Sequence, residues 1–151
     1  MPANRPETML VVDDAPVALR VIKRNLLSHG YQVLTATSVA DAVAILEATP
    51  VDLVITDLKM PKVGGLDLVR HVHANFEDTA VIMITGYASI ETAVQALREG
   101  AENYLPKPFT DEELLTAVRG ALDRLHARRA ANAERPPPSD PALGLIGESP
   151  A

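Results

Sequence analysis

Asp13, Asp14, Asp57, Thr85 and Lys107 are the residues of this chain best suited to chemistry, because each stands where a short apolar run stops. Asp13 and Asp14 follow Thr8–Val12, Asp57 follows Asp52–Thr56, Thr85 follows Ala80–Ile84, and Lys107 sits between Pro106 and Pro108 after Glu102–Leu105. If those runs are strands, their ends deliver three carboxylates, one hydroxyl and one amine to one edge of a sheet. Two carboxylates about 4 Å apart repel by roughly 4 kcal/mol at an effective dielectric of 20. A third forces a pKa upward or draws in a cation. A hard divalent ion relieves the repulsion, and Mg²⁺ in particular takes one or two carboxylates together with waters and substrate phosphate oxygens. That leaves one carboxylate free as a nucleophile, a role open to Asp in phosphoryl transfer. Lys107 and the ion would neutralise charge on the transferring group, Thr85 would hydrogen-bond a phosphoryl oxygen, and Gly86 leaves room beside it. Each residue also has a plainer reading. Asp14, just before Ala15-Pro16, can cap a helix; Thr85 can be a β-former leaving the sheet; Lys107 can be a solvated lysine in a rigid turn. Matched chemistry at four of five strand ends outweighs those readings taken together.

The elements that must position these groups alternate along the chain. After the first run, Val17, Leu19, Val21, Ile22, Leu26 and Leu27 fall near helical spacing, with Pro16 suited to a first turn and Gly30 to the residue past a helix end. Gln32–Ala36 reads as a second strand. Ser38 can cap a helix with Asp41 three residues on, and that helix must stop before Pro50. Asp52–Thr56 is the third strand, and Gly64 and Gly65 lead into a helix carrying Leu66, Leu68, Val69 and Val72. Ala80–Ile84, a helix from about Ser89 to Glu99 ending at Gly100, and Glu102–Leu105 follow. Thr110 and Glu113 make a capping-box pattern for a last helix running to about Ala131. Alternation with continuous apolar strands predicts an α/β fold with a parallel sheet covered on both faces. Function in such sheets gathers at the carboxyl ends of the strands.

The bulk numbers fit one such domain with an appendage. The 151 residues are 47% apolar, carry a net charge of −6 with a pI near 5.1, and include no cysteine. The acidic balance argues against direct nucleic-acid binding, which needs clustered Lys and Arg. The missing cysteines exclude disulfides and thiolate metal sites. No apolar run approaches the ~20 residues of a membrane span, and residues 1–7 hold no apolar leader. The expected location is the cytoplasm.

The motifs Val11–Asp14 (VVDD), Ile55–Leu68 (ITDLKMPKVGGLDL), Ile84–Ser89 (ITGYAS) and Gly100–Phe109 (GAENYLPKPF), with Gly65 among them, resemble the receiver domain of two-component response regulators over residues 8–125. The resemblance implies a flavodoxin-like, doubly wound five-stranded parallel sheet in the order 2-1-3-4-5. It implies that Asp57 is the phosphoacceptor, that Asp14 binds Mg²⁺ directly and Asp13 largely through water, and that the Lys59 backbone carbonyl is a further ligand. It also implies a Thr85–Tyr104 switch pair, a phosphoryl contact from Lys107, and a cis Lys107–Pro108 bond. Signalling would move Thr85 toward the phosphoryl group and let Tyr104 turn inward, re-forming the surface of the fourth helix, fifth strand and fifth helix. The donor implied is a sensor histidine kinase. The domain would assist its own phosphorylation and dephosphorylation without turning over a substrate as an enzyme.

The end of the chain adds two expectations. Residues 132–144, rich in proline, read as an extended linker. Leu145–Ala151 (LIGESPA) resembles the opening of the ATPase domain in NtrC-like, sigma-54-dependent transcription activators, and Gly86–Phe109 leans the same way. The chain is then a receiver, a linker and the first residues of a truncated output domain, and it has no P-loop signature. In the last helix Leu114, Ala117, Ala121 and Val118 can face the sheet, while Leu115, Val118, Leu122 and Leu125 are spaced like a dimer seam. One broad core face and a homodimer contact, through that helix or through the fourth-helix to fifth-helix surface, both fit the spacing. Three other functions share parts of this pattern. A magnesium phosphatase with an aspartyl nucleophile would want an acid where Lys59 stands. A flavin mononucleotide carrier would want a Ser/Thr/Gly-rich loop where Asp13–Pro16 stands. A stand-alone receiver would act by partner binding alone.

Overall fold

Ten elements alternate strictly in a computed structural model that describes residues 6–59, 64–86 and 89–134, with side chains as far as 132. They are β1 (Thr8–Val12), α1 (Pro16–Ser28), β2 (Gln32–Ala36), α2 (Val39–Ala48), β3 (Leu53–Asp57), α3 (Gly65–Asn75), β4 (Ala80–Thr85), α4 (Ile90–Glu99), β5 (Asn103–Pro106) and α5 (Asp111–Glu134). All strand pairs are parallel, and the sheet order is β2-β1-β3-β4-β5, the order the resemblance implied. No helix among the described residues is long and apolar enough to cross a membrane.

The strands read as unbroken apolar runs because both sheet faces are covered. Met9, Val11, Leu53, Ile55, Ile82 and Ile84 meet Leu19, Ile22 and Leu26 of α1 and the apolar side of α5. Leu10, Val12, Val54, Val81 and Met83 meet α2, α3 and Ala96 of α4. The seam spacing in α5 is resolved by this packing. Leu114, Leu115, Ala117, Val118, Ala121, Leu122 and Leu125 are all buried in the chain's own core, so the proposed Leu115–Leu125 seam is not an exposed dimer stripe. A 3-4-3 spacing widened by neighbours at 114, 117 and 121 makes a face broad enough to lie on a sheet.

The ends of β3, β4 and β5 sit one residue later than the apolar runs suggest. Asp52 lies outside β3, where its carboxylate accepts from the Thr8 N–H (2.8 Å) and from Arg129 (3.0 Å). Asp57 and Thr85 are the last residues of β3 and β4, with Asp57 opposite Ile84. The ladder therefore runs through the reactive residues, not up to them. α5 reaches Glu134, past the expected end near Ala131, so 132–134 are helical and not linker. From Arg124 onward the helix is also held by ion pairs. Glu102 takes both Arg124 (3.0 Å) and Arg128 (2.8 Å), and Arg129 reaches Asp52 and the Asp78 carbonyl. The rest of the proline-rich stretch and Leu145–Ala151 lie outside the described residues.

Helix starts follow the sequence signals. Ser38 Oγ accepts from Asp41 N, and Thr110 and Glu113 bond reciprocally at 3.0 and 2.8 Å. α4 is capped by Ser89 and Thr92. At α1 the cap is different from the plain reading of Asp14. Ala15 holds the N-cap position without a side-chain bond, and Asp14 points to solvent.

Candidate functional site

Parallel pairing brings β1, β3, β4 and β5 to one edge with their carboxyl ends aligned, and that edge gathers Asp13, Asp14, Asp57, Thr85 and Lys107. Asp13 is fully buried. Its N–H donates to the Ala36 carbonyl, and its Oδ1 accepts from Ala15 N at 3.0 Å. Asp57 is 8% exposed and Asp14 is exposed. Carboxylate oxygens of these three lie within 4.8 Å of one another, and among the described residues this is the one acidic or histidine group able to hold a metal.

Lys107 closes the cluster. Its Nζ lies 3.1 Å from Asp13 Oδ2 and 3.3 Å from Asp57 Oδ2. The amine is placed by its own backbone, whose N–H donates to the Thr85 carbonyl at 2.8 Å, and the Lys107–Pro108 bond is cis. One amine facing three acids leaves an anionic excess. Burial pushes the Asp57 carboxyl above its usual range, and Asp13 adds to this against the pull of Lys107. Burial draws the Lys107 amine down, but its hydrogen bond to Asp13 and the charges of Asp13 and Asp57 outweigh that, and the net shift is upward. Such a site favours a proton or a hard cation. An all-oxygen donor set with one solvent-facing carboxylate, Asp14, fits a divalent ion that keeps waters.

Gly65 shows how tightly the backbone is drawn around Asp57. A Cβ on Gly65 would collide with the Asp57 carbonyl oxygen, so only glycine allows α3 to begin there. Lys59 N–H donates to Asp57 Oδ1 at 3.4 Å, which turns the chain after β3 back toward the site. Thr85 is fully buried. A Cβ at Gly86 would meet nothing within 4 Å, so the space beside Thr85 is open.

Tyr104 is half-buried and packs against the α2–α3–α4 side of the core, and its hydroxyl lies 2.6 Å from Thr92 Oγ1. Thr92 also serves the α4 cap, accepting from Ser89 N at 3.2 Å and donating to Ser89 O at 3.1 Å. With one proton and two lone pairs, its hydroxyl is fully used when Tyr104 is the donor. Sequence reasoning missed Thr92, although the Ser89-x-x-Thr92 spacing marks it as a cap residue. It also missed Thr56, whose buried hydroxyl donates to the Asp57 carbonyl at 3.0 Å, and Glu102 with its arginines.

A doubly wound parallel sheet with an acidic cluster and a lysine at its carboxyl edge defines a receiver-type signalling module as a class. The response regulator receiver domain family matches residues 9–119, and the chain belongs to that family. Among curated relatives, it is 35% identical over 122 residues to the transcriptional regulatory protein GlrR of Escherichia coli K12, covering 81% of this chain and 28% of that protein. It is 38% identical over 128 residues to the transcriptional regulatory protein KdpE of Mycobacterium tuberculosis H37Rv, covering 85% of this chain and 55% of that protein. The chain thus spans between about a quarter and just over half of these relatives. Among solved structures, a CheY-like receiver domain from Methanospirillum hungatei superposes with a TM-score of 0.79 at 31% identity, covering 82% of this chain and 99% of that one. The beryllofluoride-activated NtrC4 receiver domain dimer gives 0.75 at 30% identity, covering 78% and 98%. A Burkholderia pseudomallei response regulator with a phosphorylated aspartic acid, calcium ion and citrate gives 0.72 at 33%, covering 83% and 74%.

Proposed function

We propose that Asp57 accepts a phosphoryl group from a sensor histidine kinase in a Mg²⁺-dependent reaction, and that this switches the α4–β5–α5 surface. The observation that carries this reading is the cluster itself: three carboxylates within 4.8 Å, with one lysine bridging Asp13 and Asp57. Asp57 is the acid at the end of the central strand, with Thr85 and Lys107 on one side and Asp13 and Asp14 on the other. Asp13, Asp14, Asp57 and the Lys59 carbonyl would hold the ion. Bound there, Mg²⁺ would supply positive charge to the transferring oxygens. Asp57 Oδ2 attacks phosphorus, the bond to the donor nitrogen breaks, and the leaving imidazole keeps the electron pair. Lys107 then exchanges the Asp57 carboxylate for a phosphoryl oxygen, and Thr85 donates to another.

The donor would be a protein, and a groove suits one. Ala18, Val21, Ile22, Pro108 and Phe109 line an apolar groove that ends at Lys107. On the output side, Ile90, Val94 and Leu97 expose 84%, 43% and 49% of their surface on α4, a stripe suited to a second copy of this chain. The related NtrC4 receiver dimer supports that pairing. With Leu145–Ala151, it also supports placing this receiver (residues 8–125 plus its helix extension) upstream of a sigma-54-type activator module joined through the proline-rich stretch. The location proposed is the cytoplasm.

The test is direct. With Mg²⁺ and acetyl phosphate, wild type should gain the mass of one phosphate and Asp57→Asn should gain none. Equal labelling of both would sink the assignment. Beryllium and fluoride should raise the mass in solution toward a dimer, and Ile90→Lys should block that rise.

A further inference from the structure

We infer that Thr56 is a positioning residue for the metal-binding turn, acting through the backbone of Asp57; this rests on the function just proposed. Thr56 is 0% exposed, on the same face of β3 as Val54, and stands in register between Val12 of β1 and Met83 of β4. A buried hydroxyl is unfavourable unless it is bonded, and valine would fill such a site without that burden. The bond Thr56 makes is specific: its Oγ1 donates to the carbonyl of the next residue, Asp57, at 3.0 Å.

That bond completes a set. The Leu58 N–H donates to Ile84 O at 3.0 Å, the Leu58 carbonyl accepts from Gly65 N at 2.9 Å, and the Lys59 N–H donates to Asp57 Oδ1 at 3.4 Å. The two peptide units after Asp57 therefore have both their carbonyls and both their N–H groups engaged. Three of the four partners are backbone groups or the Asp57 side chain itself. Among the described residues, Thr56 supplies the one side chain from outside the turn. Gly65 presses on the same Asp57 carbonyl, where a Cβ has no room. The carbonyl that follows these two peptide units is that of Lys59, the backbone ligand proposed for Mg²⁺. Rotation of the Asp57–Leu58 peptide would carry the Lys59 carbonyl and the Asp57 carboxylate out of alignment together. Thr56 thus fixes the geometry of two metal ligands while touching neither the ion nor the phosphoryl group.

The experiment compares wild type, Thr56→Val, which keeps the shape and loses the hydroxyl, and Thr56→Ser, which keeps the hydroxyl. Binding of MgCl₂ alone is measured by calorimetry, and acetyl phosphate labelling is measured at limiting and saturating Mg²⁺. Thr56→Val should weaken Mg²⁺ binding by about five-fold, the ratio one neutral hydrogen bond supports. Thr56→Ser should restore it. Labelling by Thr56→Val should be slow at limiting Mg²⁺ and recover at saturation. A merely structural threonine would shift the melting temperature and leave the Mg²⁺ dissociation constant unchanged, and that result overturns the inference while leaving the proposed function standing. A wild-type chain that binds no Mg²⁺ overturns both. If Thr56→Val does not fold, Thr56→Ala against Thr56→Ser gives the same comparison, with equal Mg²⁺ binding again counting against the role.

Discussion

Replacing Asp57 with asparagine should make this protein more stable in the absence of Mg²⁺, although it removes the proposed phosphoacceptor. Asp57 is 8% exposed, faces Asp13 and Asp14 with oxygens within 4.8 Å, and has one compensating cation, Lys107, at 3.3 Å. At an effective dielectric of 20, each acidic pair at that outer separation repels by about 3.5 kcal/mol, and the lysine attracts by about 5 kcal/mol. The balance is unfavourable by about 2 kcal/mol before burial of the charge is added. Asparagine removes the charge, keeps the volume, and can still accept from Lys107. For a domain of this size, a gain of about 2 kcal/mol raises the melting temperature by roughly 5–10 °C. The assay is thermal unfolding in chelator-treated buffer at pH 7, followed by circular dichroism. Saturating Mg²⁺ should then stabilise wild type, by about 2.7 kcal/mol at a hundred times the dissociation constant, and stabilise Asp57→Asn much less. An unchanged or lower melting temperature for Asp57→Asn without Mg²⁺ would show that Lys107 already balances the cluster, and the argument for a cation would lose its basis.

The same carboxyl has a pH signature. Burial first, and then Asp13, raise its pKa, so the folded chain holds this proton more tightly than the unfolded chain. Its stabilising contribution is complete below the ordinary Asp value of 3.8 and is lost as pH rises through the raised value. The melting-temperature gap between Asp57→Asn and wild type should therefore be small in acid and widen toward neutrality in Mg²⁺-free buffer. Lys107→Ala leaves buried Asp13 without its 3.1 Å partner and should destabilise the Mg²⁺-free protein by about 2 kcal/mol, discounted for the partly exposed amine; a neutral effect would mean water already screens the pair. Gly65→Ala must displace the Asp57 carbonyl and should lower stability by about 2–3 kcal/mol in chemical denaturation, while labelling with acetyl phosphate falls. Glu102→Gln removes the carboxylate shared by Arg124 and Arg128 and should speed amide hydrogen exchange across residues 126–134, by an amount on the order of 1 kcal/mol, with little change in global melting. Exchange in wild type should rise with salt in the same segment.

Most of the fold was readable because its signals are local. Continuous apolar runs, the Ser38 and Thr110 caps, Pro16 and Gly30 each bias a few adjacent residues, and β1 and β2 match their sequence-based bounds. The errors lie where partners are distant. Asp52 looked like the start of β3 because it borders an apolar run; β3 begins at Leu53, and the Asp52 carboxylate is taken by the Thr8 N–H and Arg129, 44 and 77 residues away. The seam in α5 fitted both a core face and a dimer contact, because periodicity reports an apolar face but not what covers it; the core face is the one observed.

The sequence by itself determined that four strand ends would place Asp13, Asp14, Asp57, Thr85 and Lys107 on one edge, since strand–helix alternation forces a parallel sheet whose carboxyl ends coincide. Only the tertiary structure decided how those groups divide their contacts: Lys107 bridging Asp13 and Asp57, Tyr104 bonded to Thr92 at the start of α4, and Thr56 holding the carbonyl of Asp57. The physical reason is the range of the forces involved. Periodicity and capping act within a turn or two of chain, whereas a hydrogen bond is settled within a few tenths of an ångström, by residues that the fold alone brings into reach.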